Sequence, residues 1–493
     1  MKFVSDYGHG RNKWLMLLVT FMVVLVSPAT VWSASATEGL HALDLTSSIT
    51  GILAVIIFVL AYALVMSEEF IHLRKSKPVI IAAGMIWSLI ALAYRAHPEL
   101  VALPEQAVRH NLLEYAELML FLLVAMAYIN SMDERNVFEA LRSRLVSTGF
   151  GYRGLFWVTG ILSFFISPIA DNLTTALLMC AVVMAVGGDN KNFVSLGCIN
   201  IVVAANAGGA FSPFGDITTL MVWQKGIVDF WTFFNLFIPS VVNFLIPAAF
   251  MHFAISNEKP DALNETVKMK EGAKSIVFLF LMTIATAVSF HNFFHLPPVI
   301  GMLTGLGYLQ LFGFFLKRRH HRRMNVIRKR RKTDQTDNMS EHGGIVAFDV
   351  FHPIARAEWD TLLFFYGVVA CVGGLGFIGY LGMASELMYT QWGATSANIA
   401  VGVLSAIVDN IPVMFAVITM NPEMSTGQWL LVTLTAGVGG SLLTIGSAAG
   451  IALMGQARGV YTFFGHLKWT PVIALGYAAS IYAHFLINSQ FFR

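Results

Sequence analysis

Long apolar runs alternate with short polar breaks along most of this chain. Within each run the apolar residues are continuous, which excludes the alternating strands of a membrane β-barrel. A helix of about 20 apolar residues crosses the hydrocarbon core of a bilayer. Residues 49–66, 79–94, 112–129, 193–205, 231–253, 276–290, 299–316 and 471–485 are therefore read as spans. Shorter runs, 154–166 and 175–186, meet at Ser167-Pro168-Ile169-Ala170-Asp171-Asn172-Leu173-Thr174-Thr175. Proline removes a backbone donor, so a helix interruption is expected at Ser167-Pro168. Two short runs joined there predict a re-entrant hairpin or a discontinuous helix. Such backbone survives at membrane depth only when buried in protein or lining a wet cavity. The run 193–205 enters a second break, Asn206-Ala207-Gly208-Gly209-Ala210-Phe211-Ser212-Pro213-Phe214-Gly215-Asp216-Ile217-Thr218-Thr219. Its glycines permit close backbone approach. Runs at 362–372, 398–408 and 429–436 also end in polar or glycine-rich breaks.

Composition agrees with this pattern. The 493 residues are 56% hydrophobic and 12% charged, so the fold class is an all-α polytopic membrane protein. The net charge of +3 matters less than its placement. Arg74, Lys75 and Lys77 put the first loop inside, so the next, 97–110, faces out. Pro98 and Pro104 are expected to break any helix in it. The stretch 136–146 mixes charged and apolar residues and could lie on the cytoplasmic surface. The basic stretch Lys317-Arg318-Arg319-His320-His321-Arg322-Arg323, continued at 328–332, reads as a cytoplasmic loop and topology anchor that also suits anionic lipid head groups. Lying between spans, it is no nucleic-acid patch. Cys180, Cys198 and Cys371 lack metal-type spacing and read as small core residues. Arg11-Asn12-Lys13, the apolar run 14–26 and Ala34-Ser35-Ala36 follow the order of a secretory signal peptide, cleaved after Ala36, or form an uncleaved first helix. The expected organisation is a signal segment at 1–36, a first membrane half at 46–255, a linker with connecting spans at 256–316, a basic loop at 317–357 and a second membrane half at 358–493.

The two halves share an ordered pattern. Ser-x-Ile-x-Asp-Asn occurs at 167–172 and again at 405–410. Glu117 and Asp360 each stand in or at the start of an apolar run. Gly208, Gly209 and Gly215 match Gly439, Gly440 and Gly446, and Asp216 corresponds to Ser447. Ordered agreement at all these places argues for an internal repeat, and broken helices in repeated halves are how many transporters build ion sites. Ionisable side chains at membrane depth mark ion or proton paths. The ion-binding candidates are Asp171, Asn172, Thr174, Thr175, Asn206, Asp216, Thr218, Thr219, Asp409, Asn410, Ser167, Ser405 and Ser447, with Na+ expected at Asp171 and Asp409. Their oxygens suit a hard cation, and no soft ligand stands at the breaks. A carboxylate in low dielectric exchanges protons nearer neutral pH. Na+ and H+ would then compete for it, which is antiport chemistry. Glu117, Asp360 and His110 are the candidates for proton coupling or pH sensing. Plainer readings stand beside these: aspartates as helix caps, asparagines that satisfy broken backbone, threonines bonded back to a helix carbonyl, and a solvated histidine.

The segments 167–175 and 205–219, with Asp409-Asn410 and Glu358-Trp359-Asp360, resemble the signatures of the NhaD-type Na+/H+ antiporters. The resemblance runs from the first mature span to the C-terminus. It implies the ion transporter fold, with two inverted-topology repeats that each hold a re-entrant hairpin and a discontinuous transmembrane helix. It also implies Na+ or Li+ efflux coupled to proton entry in the bacterial inner membrane, strongest at alkaline pH, without a cofactor, and often as a dimer. Dicarboxylate relatives in that superfamily carry Ser-Asn-Thr at the hairpin tips, and the Asp-Asn here favours a cation exchanger. The alternatives are an anion or arsenite permease of the same superfamily and an intramembrane aspartyl protease.

Overall fold

The computed structural model describes residues 42–71, 73–188, 190–259, 267–331 and 351–492. The signal segment, and residues 332–350 of the basic loop, lie outside them. The described chain is helical. In order its main helices are α1 (Ile49–Met66), α2 (Ser76–Tyr94), α3 (Ala102–Glu134), α4 (Val137–Ser147), α5 (Tyr152–Ala170), α6 (Asn172–Gly187), α7 (Lys191–Gly209), α8 (Ile217–Gln224), α9 (Phe237–Phe253), α10 (Ala273–Phe294), α11 (Pro298–Arg331), α12 (Trp359–Ile378), α13 (Ala394–Leu404), α14 (Asn410–Met420), α15 (Thr426–Gly439), α16 (Ala448–Gln456), α17 (Phe463–Leu467) and α18 (Thr470–Ile487). Ten helices among the described residues are long and apolar enough to cross a membrane. At 1.5 Å per residue, the 16 residues of α6 and the 11 of α13 and of α14 fall short of a bilayer of about 30 Å.

Three expectations are corrected. Pro104 does not break the helix it sits in, because it lies in the first turn of α3, where backbone N–H groups have no partner in the helix. His110 is therefore part of a helix. The basic stretch at 317–331 is the continuation of α11 rather than a loop. Finally, α5 continues through Pro168 to Ala170 and stops at Asp171. Pro168 cannot donate to the carbonyl of Phe164, four residues earlier. That carbonyl lies against Gly208 of α7, where an added Cβ would come within 2.2 Å of it. One missing donor, covered by a close neighbour, leaves the helix intact.

The chain folds into two compact units. One comprises the residues through Leu112, Leu363–Ala397 and Phe415–Met424, and the other Leu113–Leu362, Asn398–Met414 and Ser425–Arg493. The first packs α1, α2 and α12 around Ala54, Ile86, Ile90, Cys371 and Ile378. The Leu45 amide and Trp87 Nε1 donate to the carbonyls of Ile378 and Ala370, at 3.1 Å and 2.9 Å. Gly367 and Gly374 allow the close approach of Val79 and Ile86. The second unit is built around α7, which is buried along nearly its whole length from Phe193 to Gly209. In the same unit α3, α10 and α11 meet where Thr283 Oγ1 donates to Tyr128 Oη (2.9 Å), which donates to the Gly305 carbonyl (2.7 Å).

Candidate functional site

Four helices of the second unit begin at the predicted breaks, and each is capped by a candidate residue. Asp171 caps α6 and accepts from Thr174 N at 2.7 Å and Thr174 Oγ1 at 2.9 Å. Its backbone, at φ 58° and ψ 163°, lies in a region that is essentially glycine's. Asp216 caps α8 through Thr218 N at 3.0 Å. Asp409 precedes α14 and accepts from Ile411 N at 3.4 Å. Ser447 caps α16 through Gly450 N at 3.2 Å. An N-cap oxygen satisfies amides the helix leaves open, and the helix dipole there stabilises negative charge. The local sequence thus explains how three carboxylates are held in an apolar environment.

Contacts in the two halves match pair by pair. Ser167 Oγ donates to the Ala205 carbonyl and Ser405 Oγ to that of Ala436, both at 2.7 Å. A Cβ on Gly209 would meet Gly215 O at 2.8 Å, and one on Gly440 would meet Gly446 O at 2.7 Å. Gly208 lies against Phe164 O, and Gly439 against Gly402 O. Asp216 and Ser447 share one backbone conformation, φ near −140° with ψ 141° and 149°. Each break is thereby tied to the helix that precedes the second break of its own half.

The halves also meet. Asn410 Nδ2 lies 3.2 and 3.4 Å from the two carboxylate oxygens of Asp216, and Asp409 acts on Asp216 as a like charge. Gly437 of α15 faces the same carboxylate, since a Cβ there would be in ordinary contact with Asp216 Oδ2 at 3.5 Å. Asp216 is 5% exposed and Asn410 4%. A second link runs from Asn172 Nδ2 to Asn206 Oδ1 (3.1 Å), and from Asn206 Nδ2 to Ser441 Oγ (2.9 Å). Among the described residues, the buried hydroxyls of Thr175, Thr219 and Thr444 meet no hydrogen-bond partner. A buried polar group without a partner is costly unless a ligand satisfies it. The arrangement therefore offers carboxylate, amide and hydroxyl oxygens to a hard cation.

The family model described as "Citrate transporter" matches residues 13–437. The Na(+)/H(+) antiporter NhaD of Alkalimonas amylolytica is 61% identical over 96% of this chain and 97% of its own. The chain belongs to the NhaD family. The NhaD of Vibrio cholerae is 59% identical over 95% of this chain and 98% of its own, and that of Halomonas elongata 57% over 97% and 96%. Relatives this similar are named as antiporters, so the protease reading is set aside.

In this NhaD-family chain the remaining candidates are not themselves caps of the four breaks. Glu117, on α3, has Glu114 and Lys225 as its charged neighbours, and Lys225 pairs with Glu114. Asp360 is in the first turn of α12. His110 is exposed on α3. The sequence reading passed over Ser441 and His466, whose Nε2 lies 2.8 Å from the Ser441 carbonyl. Ser441 could have been found, because it stands where the repeat has Ala210. His466 follows the repeated segments and carries no such signal.

Proposed function

We propose that this protein exchanges Na+ or Li+ for H+ across the bacterial inner membrane, serving sodium and pH homeostasis at alkaline pH. The observation that carries this reading is Asp216: a buried carboxylate on one break, capped by its own helix and faced by Asn410 of the other break. The cation is taken by Asp171, Asp216 and Asp409, with oxygens of Asn172, Asn206, Asn410, Thr174, Thr175, Thr218, Thr219 and Ser447. Ser167 and Ser405 hold the breaks in place. Protons bind the same carboxylates when the cation leaves. Na+, Li+ and H+ are cargo, and no cofactor takes part. Glu117 and Asp360 serve proton delivery. The matched contacts support two inverted repeats, each with a hairpin and a discontinuous helix. The bilayer is the protein's surroundings, and a homodimer is its assembly.

The test uses everted vesicles from cells lacking their own Na+/H+ antiporters, with a dye that reports the proton gradient. Added Na+ or Li+ is expected to restore fluorescence, most strongly at alkaline pH. No response to either ion from neutral to strongly alkaline pH removes the reading. Citrate uptake without that response would favour the substrate named by the family model, although an acidic site repels a tricarboxylate.

A further inference from the structure

His466, on the short helix α17, is fully buried and lies outside both repeated motifs. Its Nε2 is 2.8 Å from the Ser441 carbonyl, and its Nδ1 is 2.9 Å from the hydroxyl of Tyr461, itself buried. A carbonyl oxygen only accepts, so Nε2 carries the hydrogen. In the neutral ring Nδ1 is then the acceptor, and Tyr461 O–H donates to it. Tyr461 thus selects the tautomer that His466 needs to hold Ser441. Ser441 follows Gly439 and Gly440, which end α15 against the backbones of Gly402 and Gly446. Its hydroxyl accepts from Asn206, and Asn206 accepts from Asn172 beside Asp171. Hydrogen bonds through the carbonyl and the hydroxyl of Ser441 therefore link Tyr461 to the first break, all buried but the last, from Asn172 to Asn206.

We propose that His466 is a positioning residue, whose Nε2–H fixes the glycine-flanked turn at Ser441 and so orients Asn206 and Asn172 toward the transported cation. This deepens the antiport reading and rests on it. His466 touches no ion. It sets the concentration of Na+ at which the site fills, not the rate at which a filled site turns over.

The test compares His466→Gln with His466→Asn in the full chain. A glutamine side chain places its amide N–H near the place of Nε2, whereas asparagine reaches only the place of Nδ1. His466→Asn is expected to raise the half-maximal Na+ for fluorescence recovery by roughly tenfold, the scale of one lost hydrogen bond, with the maximal response kept. His466→Gln is expected to stay near wild type. The same order is expected in the Na+-dependent rise in melting temperature of the purified protein. Equal half-maximal Na+ in both variants, whether shifted or not, overturns the proposal. A fall in the maximal response alone, or absence of either variant from the membrane, also overturns it, because His466 would then support the fold rather than the site. A wild type that ignores Na+ in both measurements fails the antiport reading itself. A responding wild type with matched variants fails only the role of His466.

Discussion

Asp216 is where a single side chain decides most. Its carboxylate is buried, caps α8 and accepts from Asn410. Asp216→Asn keeps the size of the side chain and removes its charge. Losing a charged ligand in such a place costs about 2–3 kcal/mol, which is roughly 100-fold in affinity. Half-maximal Na+ in the vesicle assay is expected to rise by that factor, and an unchanged value would take Asp216 out of the site. Asp171, Asp216 and Asp409 were legible in the sequence because a charge inside an apolar run is conspicuous. Ser441 was legible only as a position in the repeat, not by its partners, and His466 was not legible at all. Their contacts reach across 235 and 25 residues, and no local pattern encodes such partners.

The elements were legible to the extent that apolar length alone decides them. Spans and breaks fell near their expected places. Proline misled, because its effect depends on position. Pro104 occupies a first turn that needs no donor. Pro168 sits inside α5, where the carbonyl it leaves open is met by Gly208. The second half repeats that approach at Gly439 and Gly402. Gly208→Ala would put a Cβ 2.2 Å from Phe164 O, and Gly439→Ala one 2.0 Å from Gly402 O. Backbone must move in both cases, and overpacking of this kind costs about 1–3 kcal/mol. Each substitution is expected to lower the melting temperature of the purified protein, the two by similar amounts. A tolerated alanine at either position would show that the helices are not pressed together there.

At the scale of the whole molecule, the chain interleaves two units. It passes between them within helices at Leu112–Leu113, Leu362–Leu363, Ala397–Asn398 and Met414–Phe415, and again at Met424–Ser425, just before α15. The sequence could not show this, since its halves follow the repeat and the units do not. The candidate site belongs to the second unit, and the proposed exchange has its carboxylates answer to two ions. For one-for-one exchange, half-maximal Na+ is expected to rise about tenfold for each unit of falling pH while the carboxylate is mostly protonated. A half-maximal Na+ that ignores pH would exclude competition for a shared group. Asp171 adds a consequence of another kind. It holds a backbone conformation suited to glycine, which costs about 1–3 kcal/mol, while a glycine cap is only a few tenths of a kcal/mol worse than aspartate. Asp171→Gly is therefore expected to give a protein that melts about one to two degrees higher and moves no sodium. At this one position folding and transport pull in opposite directions, and a screen for thermal tolerance alone would select against the chemistry.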